Sequence, residues 1–219
     1  MKKIIGIMCV LSLVLASAAA LAADVGDCII FGAYEQDNDP ANGKEPIEWL
    51  VLDRDGDRLL VISRYVLDDQ SCHMLDEAVT WENCYLRVWL NGHFMNEAFT
   101  GDERAQILPT TLHAAGGDTQ DQIFLLSRSE ALTYFPEEQD RACKPTDYAE
   151  AQGAMVPAHN PALRRFMKDV VTTTWWLRSV DAAQTSAPHV LASGGAEDSS
   201  NHVTVECGVR PAMWINLAQ

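Results

Sequence analysis

Positive charge is scarce in this chain: 16 Lys and Arg stand against 31 Asp and Glu over 219 residues, a formal net charge of −15. A nucleic-acid surface needs clustered cations to neutralise phosphates, and docking on anionic lipid needs a basic face, so the balance argues against both. Cys-x-x-Cys is absent, which leaves a thioredoxin-like site or a zinc knuckle without its usual spacing. There is no Gly-x-Ser-x-Gly, no phosphate loop and no dinucleotide fingerprint. The histidines His73, His93, His113, His159, His189 and His202 are scattered, and none pairs at His-x-x-x-His spacing. Past the N-terminus no apolar run is long enough for a membrane span. No Pro/Gly/Ser-rich linker and no internal repeat divides the chain, so residues 23–219 read as one domain. At 47% apolar and 21% charged residues, the composition is that of a globular protein.

What is present begins with a targeting segment. Lys2 and Lys3 make a positive start, Ile4 to Leu15 an apolar stretch, and Ala20-Leu21-Ala22 a small-residue cleavage pattern. Residues 1–22 are therefore expected to be a secretory signal, with the mature chain starting at Ala23 and located outside the cytoplasm, secreted or in the cell envelope. Loss of Lys2 and Lys3 leaves 14 basic against 31 acidic side chains, a net −17. Asp27 directly before Cys28 is a poor context for lipidation. Export permits disulfides. Five cysteines remain, Cys28, Cys72, Cys84, Cys143 and Cys207, and two bridges among five allow about 15 pairings. Cys72 and Cys84 would close a short loop. A domain of this size can also bury an adequate core without any bridge.

Periodicity sketches the elements. Cys28 to Phe31 suits a strand, and Ile47–Leu52 and Leu59–Ser63 flank Asp55-Gly56 as a hairpin. From Cys84 to Phe99, Leu86, Trp89, Leu90, Phe94 and Ala98 recur at three- and four-residue spacings and predict a helix with one apolar face. Thr100 with Glu103 and Ser127 with Glu130 match capping boxes, predicting helices to Leu108 and Phe135. Ile123-Phe124-Leu125-Leu126 reads as a buried strand, and Thr146–Gln152 as a short helix stopped by Gly153. Thr172–Ser179, Pro188–Ala192, His202–Cys207 and Val209–Leu217 read as strands. Strands, then short helices, then strands predict an α+β domain with mixed and antiparallel sheets and with its two ends paired in one sheet.

Several segments are distinctive in combination. They are Phe31-Gly32-Ala33-Tyr34, Ile47 to Leu52, Thr80-Trp81-Glu82, Leu86-Arg87-Val88-Trp89-Leu90-Asn91, Asp121 to Ser127, Pro145 to Ala149, Thr174-Trp175-Trp176-Leu177-Arg178-Ser179 and Gly208-Val209-Arg210-Pro211-Ala212-Met213-Trp214-Ile215. In this order, from about Val25 to Leu217, the chain resembles the bacterial family catalogued as domain of unknown function 6273. Two segments depart from the usual pattern: Cys72 is displaced from the Leu67-Asp68 position, and Val180-Asp181 stands where Pro-Gly is common. More distantly, the closing strands look like the C-type-lectin-like fold shared with formylglycine-generating enzymes. That likeness implies a single C-type-lectin-like domain. The cysteine pair those enzymes use has no counterpart here, because only Cys207 lies near the C-terminal strands.

No catalytic set is identified. The ligand-contact candidates are Trp175, Trp176, Arg178 and Arg210. Adjacent strand residues face opposite ways, so one ring of the Trp pair is expected in the core and the other near the surface. The outer ring is the best single contact candidate. Arg178 and Arg210 are expected to be structural, paired with acids such as Glu48 or Glu82 and stacked on Trp175 or Trp214. Trp49, Trp81, Trp89, Leu90, Phe94 and Trp214 are assigned to the core. No metal ligand set is assigned; Asp37-Asn38-Asp39 and Asp53-x-Asp55-Gly56-Asp57 are the calcium candidates, neither completing a twelve-residue calcium loop. His202 and Cys207 are expected on one strand but on opposite faces. The functional expectation is an exported, non-catalytic recognition module for a glycan, peptide or protein, acting through the loops between Pro136 and Asn201. The alternative is an envelope enzyme, either a hydrolase or a relative of formylglycine-generating enzymes.

Overall fold

The computed structural model describes residues 23–114, 116–178, 183–196 and 200–216. The leader assigned to residues 1–22 and the turn at Val180-Asp181 lie outside them. Three antiparallel strands come first: β1 (Cys28–Tyr34) pairs with β2 (Glu45–Asp55), which pairs with β3 (Arg58–Ser63). The Asp55–Arg58 pair leaves Gly56 and Asp57 as a two-residue loop, and Gly56 takes a φ of +62°, as the first residue of such a turn requires. A short strand absent from the sequence reading, β4 (Asp68–Ser71), follows.

The predicted amphipathic helix is present as α1 (Tyr85–Trp89), a π-helical turn over Leu90–Phe94, and α2 (Met95–Ala98). Leu86, Trp89, Leu90, Phe94 and Ala98 are all buried, so the predicted face is the packed one. Both capping boxes form. Thr100 and Glu103 open α3 (Gly101–Gln106), which stops before Leu108 because Ile107–Leu108 is strand β5. A hairpin of β6 (Thr110–Leu112) and β7 (Thr119–Asp121) stands apart from the main sheets.

Ile123 to Leu126 is buried as expected, yet it is not a strand. Asn91 explains part of this: its Oδ1 accepts from the Ile123 amide at 3.0 Å and its Nδ2 donates to the Ile123 carbonyl at 2.8 Å, occupying groups a ladder would use. Ser127 and Glu130 then open α4 (Arg128–Tyr134), followed by α5 (Glu138–Arg141) and α6 (Asp147–Gln152). Thr146 caps the last of these, and Gly153 ends it at a φ of +139°.

The C-terminal third supplies β8 (Trp175–Trp176), β9 (Ser186–Val190), β10 (Ser200–His202), β11 (Glu206–Val209) and β12 (Ala212–Asn216). Two five-stranded sheets result, ordered β1-β2-β3-β12-β5 and β10-β9-β8-β11-β4. Among the described residues all pairings between named strands are antiparallel except that of β11 with β8. The domain is α+β, mostly antiparallel, with short helices. The two ends share a sheet but do not pair. The hairpin chain β1-β2-β3 is already filled on its inner edges, so the last strand takes the free edge of β3, with Leu60 opposite Trp214. The expected single strand from His202 to Cys207 is split by a turn into β10 and β11, which pair with different neighbours.

One apolar core runs from Ala23 to Ile215 and draws on both sheets and the long helix. Trp49 is fully buried and donates Nε1–H to the Phe31 carbonyl at 2.7 Å. Trp81 donates to Asp121 Oδ2 at 2.8 Å. Trp214 corrects its core assignment: it is only partly buried, and the Arg58 guanidinium lies 5.9 Å over its ring.

Candidate functional site

The strands that carry the sequence candidates lie deep in the molecule. Trp175 and Trp176 do point to opposite faces of β8, but both are fully buried. Trp175 Nε1 donates to the Arg141 carbonyl at 3.0 Å. Trp176 Nε1 donates to the Gln70 carbonyl at 2.8 Å, and its ring meets His189 edge-on. Because β8 is the middle strand of its sheet and is covered on both faces, neither ring reaches solvent. The expected surface ring is not there, and the pair offers no stacking platform.

Arg178 is buried and forms a two-point ion pair with Glu130, at 2.5 and 2.8 Å, with a third bond to the Leu125 carbonyl at 3.3 Å. Glu130 also accepts from the Ser127 amide at 2.7 Å, so one carboxylate closes the helix cap and anchors the arginine. Burial lowers the Arg178 pKa, and the Glu130 charge opposes that shift. Arg210 is buried without a carboxylate. Its Nε donates to the Ser63 carbonyl at 2.9 Å, and its guanidinium lies 5.1 Å from both the Trp175 and Phe135 rings. Among the described residues no acid comes within ion-pair distance of it, and Nη1 has no hydrogen-bond partner. The expected charge pairing therefore holds for Arg178 and fails for Arg210, where two aromatic faces stand in for a carboxylate. The proposed partners are engaged elsewhere: Glu48 pairs with Arg64, and Glu82 sits beside Gly117.

Several titratable groups of the interior are engaged with one another. Tyr34 donates to Asp68 Oδ2 at 2.5 Å, and burial raises both of their pKa values. Asp69 is pushed up to about 7, first by burial and then by the charges of Glu206 and Asp68. Cys207 donates to Thr174 Oγ1 at 3.2 Å, whereas His202 contacts Thr204 and Asp76, so the two never form a thiol–imidazole pair. Among the described residues one group brings three possible metal-ligand atoms within 4.8 Å: Glu35, Asp37 and Glu45. Only Asp37 of the two sequence-level calcium candidates contributes to it. Its oxygens already accept hydrogen bonds from Asp39 N and Asn42 Nδ2, and Glu45 accepts from Gln36 N.

The surface that stands out lies between Met155 and Val171. Met155, Phe166, Met167 and Val171 are exposed, and among the described residues Phe166 is the most exposed of the large apolar side chains at 78%. Arg164, Arg165 and Lys168 are exposed beside them, and the Arg165 guanidinium lies 5.5 Å over the Phe166 ring. The segment is a series of turns held by its own backbone: Ala158 N to Val170 O at 3.0 Å, Arg164 N to Asn160 O at 2.8 Å, and Met167 N to Leu163 O at 3.0 Å. Thr172 Oγ1 donates to the Ala192 carbonyl at 2.6 Å, which places exposed Leu191 close by. The run Arg164-Arg165-Phe166-Met167-Lys168 was visible in the sequence. A whole-chain charge averages it away, because three cations vanish against an acidic total.

The family described as Domain of unknown function (DUF6273) matches residues 56–217. The chain belongs to this family. The match covers β3 through β12, and thus every buried arginine and tryptophan discussed above except Trp49. No curated protein and no solved structure matches the chain. No helix among the described residues is long and apolar enough to cross a membrane.

Proposed function

We propose that this protein is an exported, non-catalytic recognition module whose contact surface is the Met155–Val171 loop, and that its ligand is an acidic, partly apolar peptide segment of another protein. The observation that carries the reading is the exposure of Phe166, Met167, Met155 and Val171 together with three cations. Clustered exposed apolar groups on a soluble domain mark contact surfaces, and the cations select a partner of opposite charge. Export, with removal of residues 1–22, and a C-type-lectin-like identity for the fold belong to the same proposal. For the fold, support comes from the mostly antiparallel sheets and from the terminal strands lying within one sheet.

The decisive measurement is binding to arrays of acidic peptides, envelope glycans and cell-wall fragments, with and without a chelator. Comparison of wild type with Phe166→Ala and Arg164→Glu/Arg165→Glu assigns the surface. The expected result is binding to acidic peptides that is lost in both variants, is unchanged by chelation, and occurs with no change in melting temperature. Binding that survives both variants would move the site elsewhere. Turnover of any array component would favour the envelope-enzyme alternative. Mass spectrometry of the exported protein should find Ala23 at its N-terminus, and an intact leader on exported material would reject cleavage.

A further inference from the structure

Cys72 lies just after β4 and Cys84 caps α1. Two hydrogen bonds hold these points of the chain together: Leu86 N donates to the Cys72 carbonyl at 3.1 Å, and Tyr85 N donates to His73 Nδ1 at 3.2 Å. Both side chains are buried, at 8% and 1% exposure, and both line one cavity of about 10 Å³ with Val79, Trp81, Ala187 and Val203. That is room for about one water and no ligand. The other thiols have different surroundings. Cys28 is exposed on β1, Cys143 donates to the Arg64 carbonyl, and Cys207 donates to Thr174.

We propose that Cys72 and Cys84, thiols in this structure, are the one disulfide-forming pair of the protein, and that their bond fastens the 73–83 loop to the start of the long helix. The loop carries exposed Met74 and Leu75 and is held against the second sheet and its flanks by the Val79–Gln184 bridge, by His73 N donating to the Val203 carbonyl at 2.8 Å and by Asp76 contacting His202 of β10. Formation takes two thiol–disulfide exchanges with a low-molecular-weight disulfide as oxidant. The Cys84 thiolate attacks one sulfur of the donor and expels the other half as a thiolate. The Cys72 thiol passes its proton to that thiolate, attacks the Cys84 sulfur and expels the second half. One S–S bond of the donor is replaced by one in the protein; the protein loses two electrons and two protons, and the donor gains them as two thiols. Contact with Cys72 in the closed fold, and the amide and charge of Arg87 on its own helix, favour the Cys84 thiolate; the Arg87 contributions persist when the loop opens and make Cys84 the attacking sulfur. Both sulfurs are buried in the closed fold, so exchange occurs while the 73–83 loop is open, and closure then shields the bond from reductants.

The test uses the full chain without substitution. It is unfolded, refolded in a buffer of oxidised and reduced glutathione, blocked with an alkylating reagent, digested and mapped. The expected result is the Cys72–Cys84 linked peptide, about 2 Da below the dithiol form, in at least about tenfold excess over every other state of these two residues. A smaller excess, alkylated Cys72 or Cys84 as the main product, or either residue joined chiefly to another cysteine overturns the proposal. A second reading follows the loop: limited proteolysis between residues 73 and 83 should be at least about tenfold faster after reduction. Equal rates would overturn the fastening role.

Discussion

Replacing Asp69 by Asn tests the electrostatics of the interior most directly. Asp69 is 94% removed from solvent, its Oδ1 has no hydrogen-bond partner, and a Cβ placed on Gly153 would lie 2.6 Å from its Oδ2. Burial and the neighbouring Glu206 and Asp68 charges push it up to about 7. In the unfolded chain it titrates near ~3.9. The folded state therefore holds this proton more tightly than the unfolded state. The stabilisation is fully present below about pH 4 and is lost as pH rises through about 7. A difference of about three units corresponds to at most about 4 kcal/mol. Asn keeps the shape and carries no charge, so it removes that loss; carboxylates other than Asp68 and Glu206, whose charges couple to Asp69, contribute equally to both proteins and cancel. Urea unfolding of wild type and Asp69→Asn at about one-unit steps from pH ~4 to ~8 gives the difference curve. The expected curve turns toward the variant by about 2–4 kcal/mol over that range. A difference that stays flat within about 0.5 kcal/mol would show that Asp69 is solvated or hydrogen-bonded in the folded protein, and the reasoning would fail.

Four other outcomes are expected. Arg178→Met should cost about 3 kcal/mol in chemical denaturation, the low end for a broken buried pair because the stranded Glu130 side chain is 36% exposed. Arg210→Met should cost less, about 1–2 kcal/mol, since it strands only the Ser63 carbonyl and removes a cation that has no carboxylate; a larger loss than for Arg178→Met would refute this account of the two sites. Thr173→Val should be neutral or stabilising by about 1 kcal/mol by thermal melt, because Thr173 is fully buried and its Oγ1 has no partner. Gly194→Ala should lower stability by about 3 kcal/mol or more, since Gly194 has a φ of +98° and its Cβ would collide with the Glu138 carbonyl; a wild-type melting temperature would sink that reading.

How far the fold could be read in advance varied with how local the cause was. The Gly56 hairpin, both capping boxes, the apolar face from Leu86 to Ala98 and the Gly153 stop each depend on residues within a few positions of one another, and all are present. The apolar run Ile123–Leu126 predicts burial, which is present, and a strand, of which only the Phe124–Ala212 bridge forms, because the side chain that engages its backbone, Asn91, is 32 residues away. The candidate contact loop had a readable sequence, but nothing local showed whether Phe166 would fold inward.

The sequence alone determined the class of the domain, its acidic composition, its family resemblance and the starts of the helices that carry cap signals, but not the helix Glu138–Arg141. These follow from composition, two periodicities and cap chemistry. The tertiary structure decided which side of each strand meets water. Alternation along β8 separates Trp175 from Trp176, but only the covering of both sheet faces buries the two of them. The same holds for charge partners. Arg178 meets Glu130, and Arg210 meets two aromatic rings, through contacts between elements far apart in the chain. Pair contacts of that kind depend on how sheets and helices stack, and no spacing rule along a single chain encodes them.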